Sequence, residues 1–247
     1  MIEIRHLRKC LNDVWVLDGI DLTIEEGDTV AVMGPSGTGK SVLLKHIVGL
    51  FDPDEGEVYV DGDPVSTAGA EEIHRIRSKI SYVFQNSALF DSLTVGENIR
   101  LGLTDREREE ADVQSTLRRS LELVNLGPEV LPLLPAELSG GMQKRVAIAR
   151  AIVGHKKYIL YDEPTTGLDP VNAAVINSLI GRLKEELGTT NVIVTHDVKS
   201  AFDLSDRVAL LMNGRVRAEG TPDELRSSED PSVQEFLRGE SPVSRVA

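Results

Sequence analysis

The feature that most constrains the fold is the stretch GPSGTGKS at residues 34–41, which follows the apolar run 29–33. It fits the pattern G-x-x-x-x-G-K-[S/T], and residues 42–48 follow it as a predicted helix, which is the context that the pattern needs. The glycines let backbone N–H groups turn around a phosphate, and the start of the helix adds partial positive charge. A flexible glycine-rich turn with a chance lysine is the alternative, and the flanking strand and helix argue against it.

We therefore predict a phosphate-binding loop. Lys40 is expected to reach the β- and γ-phosphates and to take part in catalysis, and Ser41 is expected to ligate Mg²⁺. The predicted nucleotide-binding residues of this segment are Gly34, Pro35, Ser36, Gly37, Thr38, Gly39, Lys40, Ser41 and Val42.

A second candidate site follows the apolar run 157–161. Asp162 and Glu163 come directly after this run, and ligand sites lie at the carboxyl ends of parallel strands. Asp162 is expected to hold Mg²⁺ through its water shell, and Glu163 to act as the general base on the attacking water. Two acidic residues after a strand can also be a solvated strand end, so the surrounding motifs decide between the two interpretations.

Short apolar runs separated by turn signals predict strands in both halves of the chain. They lie at residues 2–4, 14–16, 20–24, 58–60, 157–161, 191–195 and 207–212. Residues 87–153 have a helical pattern, and a further helix is predicted at 170–187, with Asp169 as its cap and Gly188 at its end. Strands that alternate with helices indicate a parallel sheet, so we interpret the helical stretch as an insertion into that sheet.

The charge balance argues against nucleic acid as a partner. The chain has 27 Lys and Arg against 40 Asp and Glu, a net charge of −13, whereas duplex binding depends on basic residues. The single cysteine, Cys10, excludes an internal disulfide. No apolar run reaches the roughly 18 residues of a membrane span, and the first residues do not form a signal peptide. We therefore expect the chain to reach a membrane only through a partner.

Five further motifs resemble those of the nucleotide-binding subunits of ABC transporters. LSGGMQ at 138–143 resembles the signature, and YILYDEP at 158–164 resembles the Walker B strand. GLDP at 167–170 resembles the D-loop, His196 the switch histidine, and Gln85 in YVFQ the Q-loop glutamine. The signature is the most specific of these motifs, because P-loop enzymes in general lack it.

The order and spacing of the motifs hold over about residues 2–225. The resemblance implies an α/β fold: a P-loop NTPase (RecA-like) core with a parallel sheet, an N-terminal antiparallel β-subdomain and an inserted α-helical subdomain. It implies a single nucleotide-binding domain over residues 1–247. Within it we expect the β-subdomain and core at 1–86 and 151–225, the helical subdomain with the signature at 87–150, and a short tail at 226–247.

The resemblance also implies that two copies of the subunit enclose two ATP molecules. Each ATP would lie between the phosphate loop of one copy and the signature of the other. There Ser139 would donate a hydrogen bond, and Gly140 and Gly141 would let backbone N–H groups approach the γ-phosphate. The helix predicted to start at Met142 would add its dipole.

Three more site residues are assigned on the same resemblance. His196 would contact the γ-phosphate and hold the attacking water, and Gln85 would sense Mg²⁺ and link the site to the membrane partner. Asp169 of the D-loop is assigned to the nucleotide site.

The residue expected to contact adenine differs from the one that the family usually has. Family members usually carry an aromatic residue, often Tyr, in the first loop, and alignment of Val16 and Leu17 places Leu11 at that position. Val16 is retained as a predicted nucleotide contact. Trp15 either packs on the protein or supplies the missing stack, and the alternation of the strand favours packing.

Residues 85–95, QNSALFDSLTV, most resemble the ATPases of Mla/Mce-type lipid transporters, with Ser87 in place of the usual glycine. The signature region and the tail at 229–239 resemble that branch too. The resemblance implies ATP hydrolysis that drives an integral-membrane permease, with phospholipid as cargo, at the cytoplasmic face of the inner membrane. The permease is expected to dock near residues 85–93, where Leu89, Phe90 and Leu93 form the rim of a groove, unless these three side chains are core.

Two other functions remain open. The chain could serve a transporter of amino acids or other small molecules, or it could be a soluble ATPase scaffold of the kind found in iron–sulfur assembly. DNA-repair relatives carry a long coiled coil and translation relatives carry two cassettes, and this sequence has neither. A P-loop kinase would leave the signature unexplained.

Overall fold

The structure is a computed structural model that describes residues 1–109, 112–154 and 156–239. It forms two compact units, one of Met1–Arg77 with Thr190–Ala247 and one of Ser78–Thr189. The predicted helical subdomain, core and tail include residues 110–111, 155 and 240–247, which lie outside the described residues. Within the described ranges, no helix has both the length and the apolar character needed to span a bilayer.

Strands and helices alternate along the chain. The strands are β1 (Ile2–Leu11), β2 (Val14–Ile24), β3 (Thr29–Met33), β4 (Glu55–Val60), β5 (Asp63–Pro64), β6 (Ile80–Val83), β7 (Tyr158–Asp162), β8 (Thr190–Thr195), β9 (Arg207–Met212) and β10 (Arg215–Gly220). The helices are α1 (Lys40–Ile47), α2 (Ala70–Ser78), α3 (Val95–Arg100), α4 (Asp105–Arg108), α5 (Val113–Leu123), α6 (Gly140–Ile152), α7 (Pro170–Leu187), α8 (Val198–Leu204), α9 (Pro222–Arg226) and α10 (Pro231–Leu237).

The first unit contains an antiparallel sheet in the order β2-β1-β4-β5. Its β3 pairs in parallel with β8 and β9, and β10 returns antiparallel to β9 through the turn Asn213–Gly214. Every residue of β3 and β8 is buried, as expected for parallel strands covered on both faces. The apolar side chains of β3, β9 and the last three helices form one core cluster, with Ala31, Met33, Ala201, Val208, Leu210, Leu225 and Val233.

The second unit is built around α6. This helix packs against α3, α5, α7 and β6, and buries Val146, Ala147, Ile148 and Ala149. Strands β6 and β7 pair in parallel, with Tyr82 opposite Leu160, and β7 is fully buried. The unit therefore brings the end of β7 and the start of α6 into one compact body.

Local signals predicted several elements correctly. Helix α7 runs over the predicted residues, with Asp169 at its N-cap and Gly188 at its C-cap in the left-handed region. Two other local signals act in the same way: Thr221 and Glu224 form a capping box at the start of α9, and Asn213–Gly214 form the turn between β9 and β10.

Helices α1, α6 and α2 differ from the prediction, and α1 begins at Lys40 and ends at Ile47 where residues 42–48 were predicted. Helix α6 begins at Gly140 instead of Met142, because the Ser139 side chain caps it by accepting a hydrogen bond from Met142 N. The signature glycines therefore form the first helical turn. Helix α2 was not predicted; it is a short, mostly polar helix in which only Ile76 is buried.

Candidate functional site

The phosphate loop of the first unit connects β3 to α1, as the sequence predicts. Gly39 caps α1 in the left-handed region, with φ of 93°, and a Cβ there would lie 2.8 Å from Val16 O. A Cβ at Gly34 would lie 2.2 Å from Leu211 O. Neither position accepts a side chain, so the loop passes this close to its neighbours only with glycine.

Lys40 lies across this loop and is buried. Its Nζ donates hydrogen bonds of 2.9 Å to Gly34 O and 3.0 Å to Pro35 O, and Thr38 Oγ1 also donates to Pro35 O. The ammonium is therefore held within the loop by backbone carbonyls, at the position from which a P-loop lysine reaches phosphate oxygens.

The other predicted residues of the first unit lie at ends of strands or helices. Ser41 is the second residue of α1 and is half-buried, and exposed His196 directly follows β8. The Val16 side chain faces Gly39, where its Cγ1 would lie 2.9 Å from an added Cβ. Val16 thus lines the start of α1, and Leu11 ends β1 at the hairpin to β2.

Trp15 is a surface residue. Its side chain is 42% exposed, and the Arg8 guanidinium stacks 4.0 Å from the ring centroid. Such a stack is a cation–π contact, which occupies one face of the indole. The protein contacts one face of the indole, and the packing interpretation of Trp15 stays a prediction.

In the second unit, β7 ends at Asp162, which is buried. The Tyr82 hydroxyl on β6 donates a 2.8 Å hydrogen bond to Asp162 Oδ2. Burial, followed by the negative charge of Asp162, raises the pKa of Tyr82 well above its ordinary value. The tyrosine therefore stays protonated and acts as a donor to the carboxylate.

Glu163 follows with a buried carboxylate and a backbone φ of 49°, which a non-glycine residue rarely adopts. Thr166 Oγ1 donates a 3.1 Å hydrogen bond to Glu163 Oε2. Burial lowers the pKa of Lys144, and the charge of Glu163 acts in the opposite direction. The carboxylate is thus oriented by a hydroxyl and lies in the field of a buried cation.

The segment after β6 is tied to α6. Lys144 Nζ donates to the backbone carbonyl of Gln85, whose side chain is exposed. Arg150 donates hydrogen bonds of 2.8 Å to Ser87 O and 2.7 Å to Ala88 O. Ser87 and Ala88 both have positive φ, so two cations of the signature helix hold an irregular stretch of backbone.

At the start of α6, one of the two signature glycines has open space beside it. A Cβ at Gly140 would meet nothing within 4 Å, and one at Gly141 would lie 3.2 Å from Asn172 Oδ1. The packing of this chain therefore does not require glycine at residue 140.

The Asp169 side chain forms the N-cap of α7. It accepts 3.0 Å hydrogen bonds from Val171 N and Asn172 N, and the bond from Asn172 is the first cause of the lowered pKa of Asp169. Its predicted nucleotide contact stays a prediction.

The residues present fit ATP and Mg²⁺. The phosphate loop offers a backbone cradle that a Cβ at residue 34 or 39 would fill, with a buried ammonium across it. The hydroxyl of Ser41 and the carboxylate of Asp162 are oxygen ligands of the type that Mg²⁺ prefers.

The sequence analysis did not identify Tyr82, Lys144 and Arg150, whose contacts depend on tertiary structure.

Comparison with known proteins decides the family. The family model described as "ABC transporter" matches residues 17–166, more than half of the chain. The chain belongs to the ABC transporter family. It is an ATP-hydrolysing subunit of this family, which confirms the resemblance, the fold class and the predicted ATPase activity.

Two relatives of the chain have names that describe a transport function. The chain is 37% identical over 245 residues to the "Intermembrane phospholipid transport system ATP-binding protein MlaF" of Haemophilus influenzae, which covers 98% of this chain and 91% of that protein. It is 35% identical to "Probable ribonucleotide transport ATP-binding protein mkl" of Mycobacterium leprae, over 96% of this chain and 69% of that protein.

A solved structure shares the fold. The dimeric ATP-binding cassette MJ0796 in a post-hydrolysis state bound to ADP and Pi is 35% identical, with a TM-score of 0.78. The match covers 90% of this chain and 99% of that chain.

Proposed function

We propose that this ABC subunit hydrolyses ATP to drive a membrane permease that moves phospholipid. The observation that carries the proposal is the 37% identity over 98% of the chain with the phospholipid-transport MlaF protein of Haemophilus influenzae. The segment at residues 85–95, which resembles the lipid-transporter branch, supports the same cargo.

In this proposal the phosphate loop binds the triphosphate. Lys40 exchanges its bonds to Gly34 O and Pro35 O for bonds to the β- and γ-phosphates. The backbone N–H groups from Gly34 to Val42 and the N-terminus of α1 stabilise the remaining phosphate charge. Val16 contacts the nucleotide beside Gly39.

Mg²⁺ would be held by the hydroxyl of Ser41, the carboxylate of Asp162 and the amide of Gln85. When bound, it supplies charge that stabilises the leaving phosphate. Asp162 is well suited to this task because Tyr82 already orients one of its oxygens.

Glu163 is proposed as the general base. Its carboxylate accepts a hydrogen bond from Thr166, so one orientation is favoured, and a base in a fixed orientation positions the attacking water efficiently. His196 is proposed to contact the γ-phosphate and to hold the same water.

We further propose that the working form is a dimer of this chain, as in the dimeric MJ0796 cassette. Ser139, Gly140 and Gly141 of one copy would act on the ATP held by the other, and Asp169 would lie nearby. The open space at Gly140 supports this role, because a ligand from outside the chain can approach the backbone there.

The permease is proposed to dock at residues 85–93 and to hold the chain peripherally at the cytoplasmic face of the inner membrane. Phe90 is the best anchor, since this large apolar residue is 57% exposed. The bonds from Lys144 and Arg150 link this segment to α6, so movement of a docked helix is transmitted to the signature.

The experiment that tests the proposal is purification of the tagged chain from detergent-solubilised membranes, followed by reconstitution of the complex in liposomes. We expect a polytopic permease in the complex and ATP-dependent movement of a fluorescent phospholipid. Movement of ribonucleotide instead would favour the function named for the mkl relative. A chain that purifies without any polytopic protein would contradict the proposal and favour a soluble scaffold.

A further inference from the structure

A tyrosine hydroxyl contacts the carboxylate that is proposed to hold the metal. Tyr82 Oη donates a 2.8 Å hydrogen bond to Asp162 Oδ2, across 80 residues of sequence. Tyr82 and Asp162 lie on the paired strands β6 and β7, where Tyr82 is opposite Leu160. The geometry of the parallel pair therefore fixes the distance between the two side chains.

The tyrosine is itself held in place. Its ring packs against Phe84, with centroids 4.3 Å apart and an angle of 32° between the planes. Asp162 is buried, and its Oδ2 is engaged by the hydroxyl. A carboxylate with one oxygen fixed in this way has its rotation restricted, so the other oxygen keeps one direction.

Groups that hydrogen-bond metal ligands orient them, and their removal typically weakens metal affinity about 10–100-fold. We propose that Tyr82 is a positioning residue that holds Asp162 for Mg²⁺ binding. This inference rests on the proposed function, because it takes Asp162 as a metal ligand. Tyr82 touches neither the nucleotide nor the reacting atoms in the proposal, and it acts only through Asp162.

The test is Tyr82→Phe, which removes the hydroxyl and keeps the ring. Binding of a fluorescent, non-hydrolysable ATP analogue is measured as Mg²⁺ is raised, so the readout does not depend on turnover. We expect the half-saturating Mg²⁺ concentration to rise about tenfold, while analogue binding in EDTA stays as in the wild type. An unchanged Mg²⁺ midpoint would overturn the proposal.

Tyr161→Phe is the matched control. Tyr161 directly precedes Asp162 and is buried, and burial alone raises its pKa, with no contribution from Asp162. Loss of this hydroxyl should leave the Mg²⁺ midpoint unchanged, so an equal shift in both variants would assign the effect to general loosening of the strands and overturn the proposal.

Asp162→Asn separates this inference from the proposed function. If Asp162→Asn shifts the Mg²⁺ midpoint and Tyr82→Phe does not, only the positioning role fails. If neither variant shifts it, the metal assignment of Asp162 fails as well.

The double variant Tyr82→Phe/Asp162→Asn keeps the test valid if Tyr82→Phe alone folds poorly. In this variant Asp162→Asn removes the carboxylate charge that loses the Tyr82 hydroxyl as a donor. We expect the double variant to match Asp162→Asn, since a residue that acts through Asp162 adds nothing in that background. A further tenfold shift in the double variant would overturn the proposal.

Discussion

The Asn98 side chain hydrogen-bonds both the backbone N–H and the backbone carbonyl of Phe90. Phe90 N donates a 2.8 Å hydrogen bond to Asn98 Oδ1, and Asn98 Nδ2 donates to Phe90 O at 3.1 Å. Asn98 is completely buried, whereas Phe90 is 57% exposed. A large apolar side chain is thus presented to solvent from a fixed backbone, which is the arrangement expected of an anchor for a partner.

The first prediction concerns this anchor. Phe90→Asp should leave the chain folded and able to bind nucleotide, because the ring is mostly outside the core. It should weaken association with the permease roughly tenfold or more, since an unpaired charge at an apolar contact is costly. Recovery of the permease with the tagged chain measures the effect, and Leu50→Asp, at a residue 51% exposed, is the control. A variant that unfolds would show that Phe90 is core, and one that retains the permease would place docking elsewhere.

The second prediction concerns Asn98 itself. Its amide also donates to the carbonyls of Leu93 and Thr94. Asn98→Ala therefore removes a partner from Phe90 N and from Leu93 O, whereas Phe90 O and Thr94 O keep their bonds from Leu93 N and Asn98 N. We expect the free energy of unfolding to fall by about 2–3 kcal/mol, the cost of buried unsatisfied groups. Denaturant unfolding measures it, with the exposed Asn86→Ala as the control. A loss below about 0.5 kcal/mol, the usual range for surface changes, would show that water replaces the amide.

Sequence signals predicted the parts of the molecule that depend on neighbouring residues. Helix α7 is an example, because Asp169, Pro170 and Gly188 act within one turn of its ends. The phosphate loop is another, since its strand, glycines and helix are contiguous. These features need no knowledge of the rest of the fold.

Contacts between distant residues were not predictable in the same way. Tyr82 and Asp162 meet only because β6 and β7 pair in one register, and Lys144 reaches Gln85 O because α6 packs on β6. In the sequence, Tyr82 looks like an ordinary strand residue and Lys144 like a solvated helix residue. Nothing in the local pattern distinguishes these roles.

The third prediction concerns the general base. Glu163→Gln should retain ATP binding and lower the hydrolysis rate by at least about 100-fold, because the proton acceptor is lost while the phosphate loop is intact. ATP should then accumulate in a dimer that is visible by light scattering. Glu185→Gln, at an exposed residue of α7, is the control. Full activity of the Glu163 variant would remove this residue from the role of base.

The fourth prediction concerns acid stability. Hydrogen bonds from Thr94 N and Thr94 Oγ1 lower the pKa of Glu97 below its ordinary value of 4.5 in the capping box of α3. A lowered carboxyl pKa stabilises the fold above the ordinary value, and this contribution is lost as pH falls through the lowered value. Glu97→Gln should therefore lower the Tm at pH 7 and have a smaller effect at pH 3. Thermal unfolding at both pH values measures this, with exposed Glu235→Gln as the control, and an equal effect at both pH values would contradict it.

The last prediction concerns sharing of the ATP site between two copies. Ser139→Arg places a bulky cation at the exposed cap of α6 and should abolish hydrolysis, as should Lys40→Ala in the phosphate loop. Mixed together, the two inactive chains can form a dimer in which one site has both an intact phosphate loop and an intact signature, so part of the activity should return.

The control mixes Ser139→Arg with the double variant Ser139→Arg/Lys40→Ala, which offers no intact site and should stay inactive. Recovery only in the first mixture would show that the signature of one copy completes the site of the other. Normal hydrolysis by an isolated Ser139→Arg monomer would contradict this, because a site that needs the signature of a second copy cannot work in one chain alone. In a shared site, the ATP held by the other copy approaches the signature through the open space at Gly140.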